Sequence, residues 1–142
     1  MKIKKIILIF IIIGAILAAG FIYILRQNKS ENTVNPESKI SEDGGVIFEV
    51  RPIDFNFNSP VKFEITINTH SGSLDFDLTQ ISILEDDKGG RYSPLNWEGA
   101  GPGGHHREGI LSFPKLKNRP KLVKLIIEDI SGQPRIFEWQ IK

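Results

Sequence analysis

Apolar residues are laid along the chain in two different ways. Residues 6–25, IILIFIIIGAILAAGFIYIL, form an unbroken run of 20 with no charge, Asn or Gln. At about 1.5 Å rise per residue a helix of this length crosses a hydrocarbon core of roughly 30 Å with its backbone groups satisfied internally. The run therefore predicts one N-terminal transmembrane helix. From Val46 onward the apolar period is two. Val61, Phe63, Ile65 and Ile67 alternate with Lys62, Glu64, Thr66 and Asn68, which places one face on a core and the other in water. The same reading predicts strands over 46–51, 80–85, 91–97, 109–113, 122–128 and 135–141, the last with Phe137, Trp139 and Ile141 on one side. Turns are marked by Asp87-Lys88-Gly89-Gly90 and Ser131-Gly132-Gln133-Pro134. About seven short strands at this spacing, with no useful helix after Leu25, predict an all-β domain, an immunoglobulin-like antiparallel β-sandwich.

Between the two patterns, residues 26–43 are rich in Asn, Ser, Glu and Lys and hold only Val34 and Ile40 as large apolar residues. Such a stretch buries too little surface to offset its ordering entropy, and it reads as a flexible linker. The predicted organisation is a cytoplasmic N-terminus over 1–5, a signal-anchor helix over 6–25, the linker, and an extracytoplasmic domain over 44–142. Lys2, Lys4 and Lys5 precede the helix and Arg26 and Lys29 follow it, a bias toward a cytoplasmic N-terminus. A cleaved signal peptide is the alternative, since Ala18-Ala19-Gly20 offers small residues for processing; the run continuing through Phe21 to Leu25 favours the retained anchor. Either way the remainder lies outside the cytoplasm.

Charge narrows the partners. After the apolar run there are 15 basic against 17 acidic residues, a net −2, which argues against a nucleic-acid partner. The absence of cysteine excludes disulfides, thiolate metal sites and a lipidated Cys anchor. Lys115, Lys117, Arg119, Lys121 and Lys124 make a basic run. On a sheet edge it would guard against edge-to-edge pairing; the functional alternative is docking to anionic lipid or a cell-envelope polymer.

Candidate chemistry lies in two segments, 68–78 and 95–109, which hold all three histidines. His70, His105, His106, Asp75 and Asp77 are the ligand types that zinc or copper would use. Adjacent strand residues point to opposite faces, so His105 and His106 reach one ion only if the loop bends. The structural alternative bonds an imidazole to Asp75 or Asp77 and pairs Arg107 with Glu98 or Glu108. Trp97, Glu98, Arg107 and Glu108 form a candidate interaction loop. Gly99-x-Gly101-x-x-Gly104 matches a dinucleotide fingerprint, but Pro102 interrupts it and a strand follows, so no nucleotide is expected. Asp75 and Asp77 lack the loop that calcium needs, and Ser71 beside His70 makes no triad.

Thr69-His70-Ser71 with Leu74-x-Phe76-Asp77-Leu78, and Leu95-x-Trp97-Glu98-Gly99 with Pro102-Gly103-Gly104-His105-His106-Arg107-x-Gly109-x-Leu111-x-Phe113, resemble an uncharacterised family of prokaryotic membrane-anchored extracytoplasmic domains. The resemblance covers about 48–141 and implies one autonomous domain and no catalytic residues. The sequence thus points to a membrane-anchored binding or interaction module of unknown ligand, with a protein or cell-envelope partner. A zinc- or copper-binding domain is the alternative, followed by an envelope enzyme.

Overall fold

The computed structural model describes residues 37–141 apart from 56, 118, 129 and 131, all within one compact unit spanning Asn32–Lys142. The apolar segment 6–25 lies outside the described residues. Among those described, no helix is long and apolar enough to cross a membrane.

The described residues form two antiparallel sheets. The first runs β1 (Lys39–Asp43), β2 (Val46–Asp54), β3 (Val61–Thr69), β7 (His106–Phe113), β6 (Asn96–Gly99); the second runs β5 (Arg91–Tyr92), β4 (Ser82–Asp86), β8 (Leu122–Ile127), β9 (Arg135–Gln140). One short helix, α1 (Leu78–Ile81), precedes β4. The fold is an all-β sandwich.

Alternation builds the core. Val61, Phe63, Ile65 and Ile67 of β3 are buried, as are Leu84 of β4, Leu111 and Phe113 of β7, and Val123, Leu125 and Ile127 of β8. Each such side chain is worth about 1.5–3 kcal/mol. Phe63 is the hub of an aromatic cluster, with ring centroids 5.4 Å from Phe55, 5.9 Å from Phe113 and 5.2 Å from Trp139.

Four expectations change. The strand expected over 80–85 begins only at Ser82, because Leu78–Ile81 form α1 behind an Asp77 N-cap. The stretch 91–97 is two strands in opposite sheets, because Pro94 has no N–H to continue a ladder; Leu95 N then donates to Ser112 O at 2.7 Å and starts β6. Residues 39–43 of the expected linker form β1, paired from Lys39↔Val50 to Asp43↔Val46. That strand gains little from its own side chains and is held by backbone bonds and by contacts from β9. The basic run does not guard an edge: residues 114–121 cross from β7 to β8, and Lys124 sits in β8 between β4 and β9, paired with Glu138 at 2.8 Å.

The turn into α1 depends on a carboxylate. Asp77 Oδ1 accepts from Thr79 N at 2.8 Å and from Thr79 Oγ1 at 2.7 Å. The Thr79 hydroxyl, then its backbone N–H, hold the Asp77 carboxyl below its ordinary value of 3.8. A depressed folded-state pKa gives stability that is present above the unfolded pKa and fades as pH falls through the folded one. Asp77→Asn is expected to remove that part of the acid dependence, read as a shallower fall of melting temperature below about pH 4.

Candidate functional site

The two chemistry-bearing segments meet at one end of the sandwich, where the loops 70–77 and 100–105 lie side by side. Backbone bonds join them: Leu74 N donates to Gly104 O at 3.0 Å, Gly103 N to Leu74 O at 2.9 Å, and Thr69 N to His105 O at 2.9 Å. Gly103 and Gly104 both have positive φ, +118° and +71°, a region open to glycine and strained for most side chains. Thr69 Oγ1 closes the other side, donating to Ser71 O at 2.7 Å and lying 3.0 Å from Gly45 O.

Beneath the loops is a buried cation. Arg107 is only 1% exposed. Its Nη1 donates to Phe76 O at 2.7 Å and Leu74 O at 3.1 Å, and its Nε donates to Ala100 O at 3.2 Å. The guanidinium lies 5.3 Å from the Phe76 ring centroid and 5.8 Å from that of Trp97. Burial draws its pKa down and the charge of Asp77 pulls it back up. The planar fork suits this task, because it donates in several directions at once while stacking on aromatic faces.

Trp97 completes the base. Its Nε1 donates to Ala100 O at 2.8 Å. Its ring lies over the facing pair Gly99↔Gly109, where a Cβ on either glycine would stand 2.8 Å from Trp97 Cζ2 and collide with the opposite backbone. Gly109→Ala is therefore expected to lose about 3 kcal/mol, at the upper end of overpacking penalties. Gly101→Ala, with open space at its Cβ, is expected to stay within about 1 kcal/mol. Urea denaturation compares the two.

The predicted interaction loop splits. Because β7 begins at His106, residues 106 and 107 alternate: Arg107 turns inward to carbonyl oxygens, not to Glu98 or Glu108, and Trp97 lies partly buried beside it. His106, Glu108 and Glu98 face outward, and all three are exposed. His106 Nδ1 is 2.6 Å from Oδ1 of Asn68, its partner across the ladder, and its Nε2 is 3.7 Å from Glu108 Oε2. Asn68 is the site residue that sequence reasoning missed, although its period-two position places it on the outer face.

The candidate metal ligands do not converge. Asp77 caps α1, Asp75 accepts from Ser73 Oγ at 2.8 Å, and His70 and His105 are exposed on separate loops. Among the described residues no three of His, Asp and Glu are grouped closely enough to hold an ion. What the arrangement offers is a polar surface rich in imidazole and carboxylate over a rigid base.

No model of a known protein family matches the chain, and no curated protein matches it. A solved structure that it resembles is MPT63, a secreted protein from Mycobacterium tuberculosis, at 17% identity and a TM-score of 0.47, over 75% of this chain and 95% of that one. A likeness this distant fixes neither fold nor function.

Proposed function

We propose that the protein is a membrane-anchored extracytoplasmic binding module whose ligand surface is the end carrying His70, His105, His106 and Glu108. One observation carries this reading. Arg107, Trp97 and the glycines brace that end from within, while the four outward side chains contribute little to the interior. Rigid loops presenting exposed polar groups are where binding residues concentrate. No metal and no catalytic residue is assigned.

The anchor is the apolar run 6–25, whose length and composition suit a bilayer-spanning helix. The sandwich is of the immunoglobulin type. Strand order supports this: with β1 and β5 set aside, β2-β3-β7-β6 and β4-β8-β9 reproduce the A-B-E-D and C-F-G sheets of that fold. The proposed surface then lies at the end that holds the B–C loop.

Full-length protein is expected to stay with membranes through alkaline carbonate washing, and protease added outside intact cells should remove the domain. A soluble product beginning at Phe21 would overturn the anchor. A photo-crosslinking residue in place of His105 should give a discrete adduct in cells, and one in place of Ile136, 53% exposed on the outer face of the second sheet, should not. Identical adducts from both positions, or none from either, would overturn the binding surface.

A further inference from the structure

We propose that the loop joining β7 to β8 docks the domain onto an anionic lipid bilayer. From Gly109 to Ile127 the chain has five basic residues and no acidic one, and four of them, Lys115, Lys117, Arg119 and Lys121, fall in this loop. Its fold separates pegs from cations. Leu116 and Pro120 are buried, whereas the four cations are exposed. Three bonds pin the loop: Lys117 N donates to Tyr92 Oη at 3.0 Å, Lys121 N to Asp87 Oδ1 at 2.9 Å, and Ile141 N to Lys121 O at 2.8 Å. Arg119 lies with its guanidinium 5.9 Å from the Phe57 ring centroid. None of the four forms an ion pair among the described residues.

An edge-guarding role is excluded, since β7 and β8 are both interior strands. The occupant follows from charge and tether. The chain beyond the apolar run is net −2, so its overall charge opposes an anionic surface, and attraction concentrates where four cations follow one another with no acidic residue between them. Glu37, where the described chain begins, has its carbonyl 3.0 Å from Trp139 Nε1, and Trp139 faces Val123 beside the start of β8. The chain thus enters the domain in the half that carries the loop. Residues 26–36, eleven in number, span at most about 40 Å even when extended. The inference rests on the anchor reading, because a tethered loop needs only weak attraction per cation to stay on the surface.

The test uses the full-length chain reconstituted into vesicles of phosphatidylcholine alone, or with about a third phosphatidylglycerol. Flotation with the neutral vesicles reads the anchor by itself. Lysine acetylation followed by mass spectrometry reads the docking. In anionic vesicles Lys115, Lys117 and Lys121 are expected to react at least about fivefold more slowly than in neutral ones, with protection lost at about 1 M salt, where the screening length is roughly 3 Å. The Lys117→Glu/Lys121→Glu variant, its melting temperature checked first, should abolish the protection of Lys115. Equal reactivity in both vesicles with flotation intact would overturn the docking and leave the anchor standing. Equal protection by soluble heparin in neutral vesicles would overturn lipid as the partner.

Discussion

Arg107→Met is expected to cost the domain about 3 kcal/mol, a large share of the 5–15 kcal/mol by which domains of this kind are stable. The methionine keeps much of the side-chain volume but donates nothing, so the carbonyl of Phe76 loses its donor, while those of Leu74 and Ala100 keep only Gly103 N and Trp97 Nε1. An unsatisfied buried polar group costs about 1–3 kcal/mol. The stack against Phe76 and Trp97 loses its charge as well. Arg107→Lys should recover only part of the loss, because a single ammonium cannot reach three carbonyls on two loops while stacking on a ring. Chemical denaturation of both variants measures this. A loss below about 1 kcal/mol for the methionine variant would show that the loops close without the guanidinium.

Removing β1 should have a comparable effect. A domain beginning at Gly44, the boundary suggested by the sequence, lacks more than an edge strand. Arg135 is 3% exposed, and its Nη1 and Nη2 donate to Ser41 Oγ at 3.2 Å and Asp43 O at 2.6 Å, with Asp43 Oδ2 at 3.7 Å. Trp139 Nε1 donates to Glu37 O at 3.0 Å. Cutting at Gly44 deprives a buried cation and a buried indole of these partners and opens β2 to solvent. The expected loss is about 2–4 kcal/mol relative to a domain beginning at Glu37, from the lost hydrogen bonds to a charged group and the lost acceptor of the indole. Denaturant midpoints of the two fragments compare them directly. Equal midpoints would show that β1 contributes nothing.

The limits of sequence legibility have a common physical source. Period two located the long strands because each buries one face, and β3 and β8 follow it residue by residue. β1 escaped because an edge strand can form on backbone bonds alone, without an apolar pattern. The same period, carried one step further, contained the two buried arginines: Arg107 shares parity with Leu111 and Phe113, and Arg135 with Phe137 and Trp139. Charge made both look like surface residues, yet a guanidinium satisfied by carbonyls and stacked on a ring tolerates burial. The histidines were legible as a spatial group, since their loops do meet. Convergence on one ion was not, because it depends on side-chain directions that strand alternation and the Asp77 cap set against it.

The central claim is a division of labour at that end of the sandwich: inward residues hold the fold, and outward residues are left for a ligand. The measurement that tests it most directly is chemical denaturation of the triple variant His70→Ala/His105→Ala/His106→Ala. All three side chains are exposed, and among the described residues their side-chain partners are the exposed Asn68 and Glu108 beside His106, so the expected change is within about 1 kcal/mol. A loss of 3 kcal/mol or more, matching that of Arg107→Met, would make the histidines part of the scaffold and contradict the account.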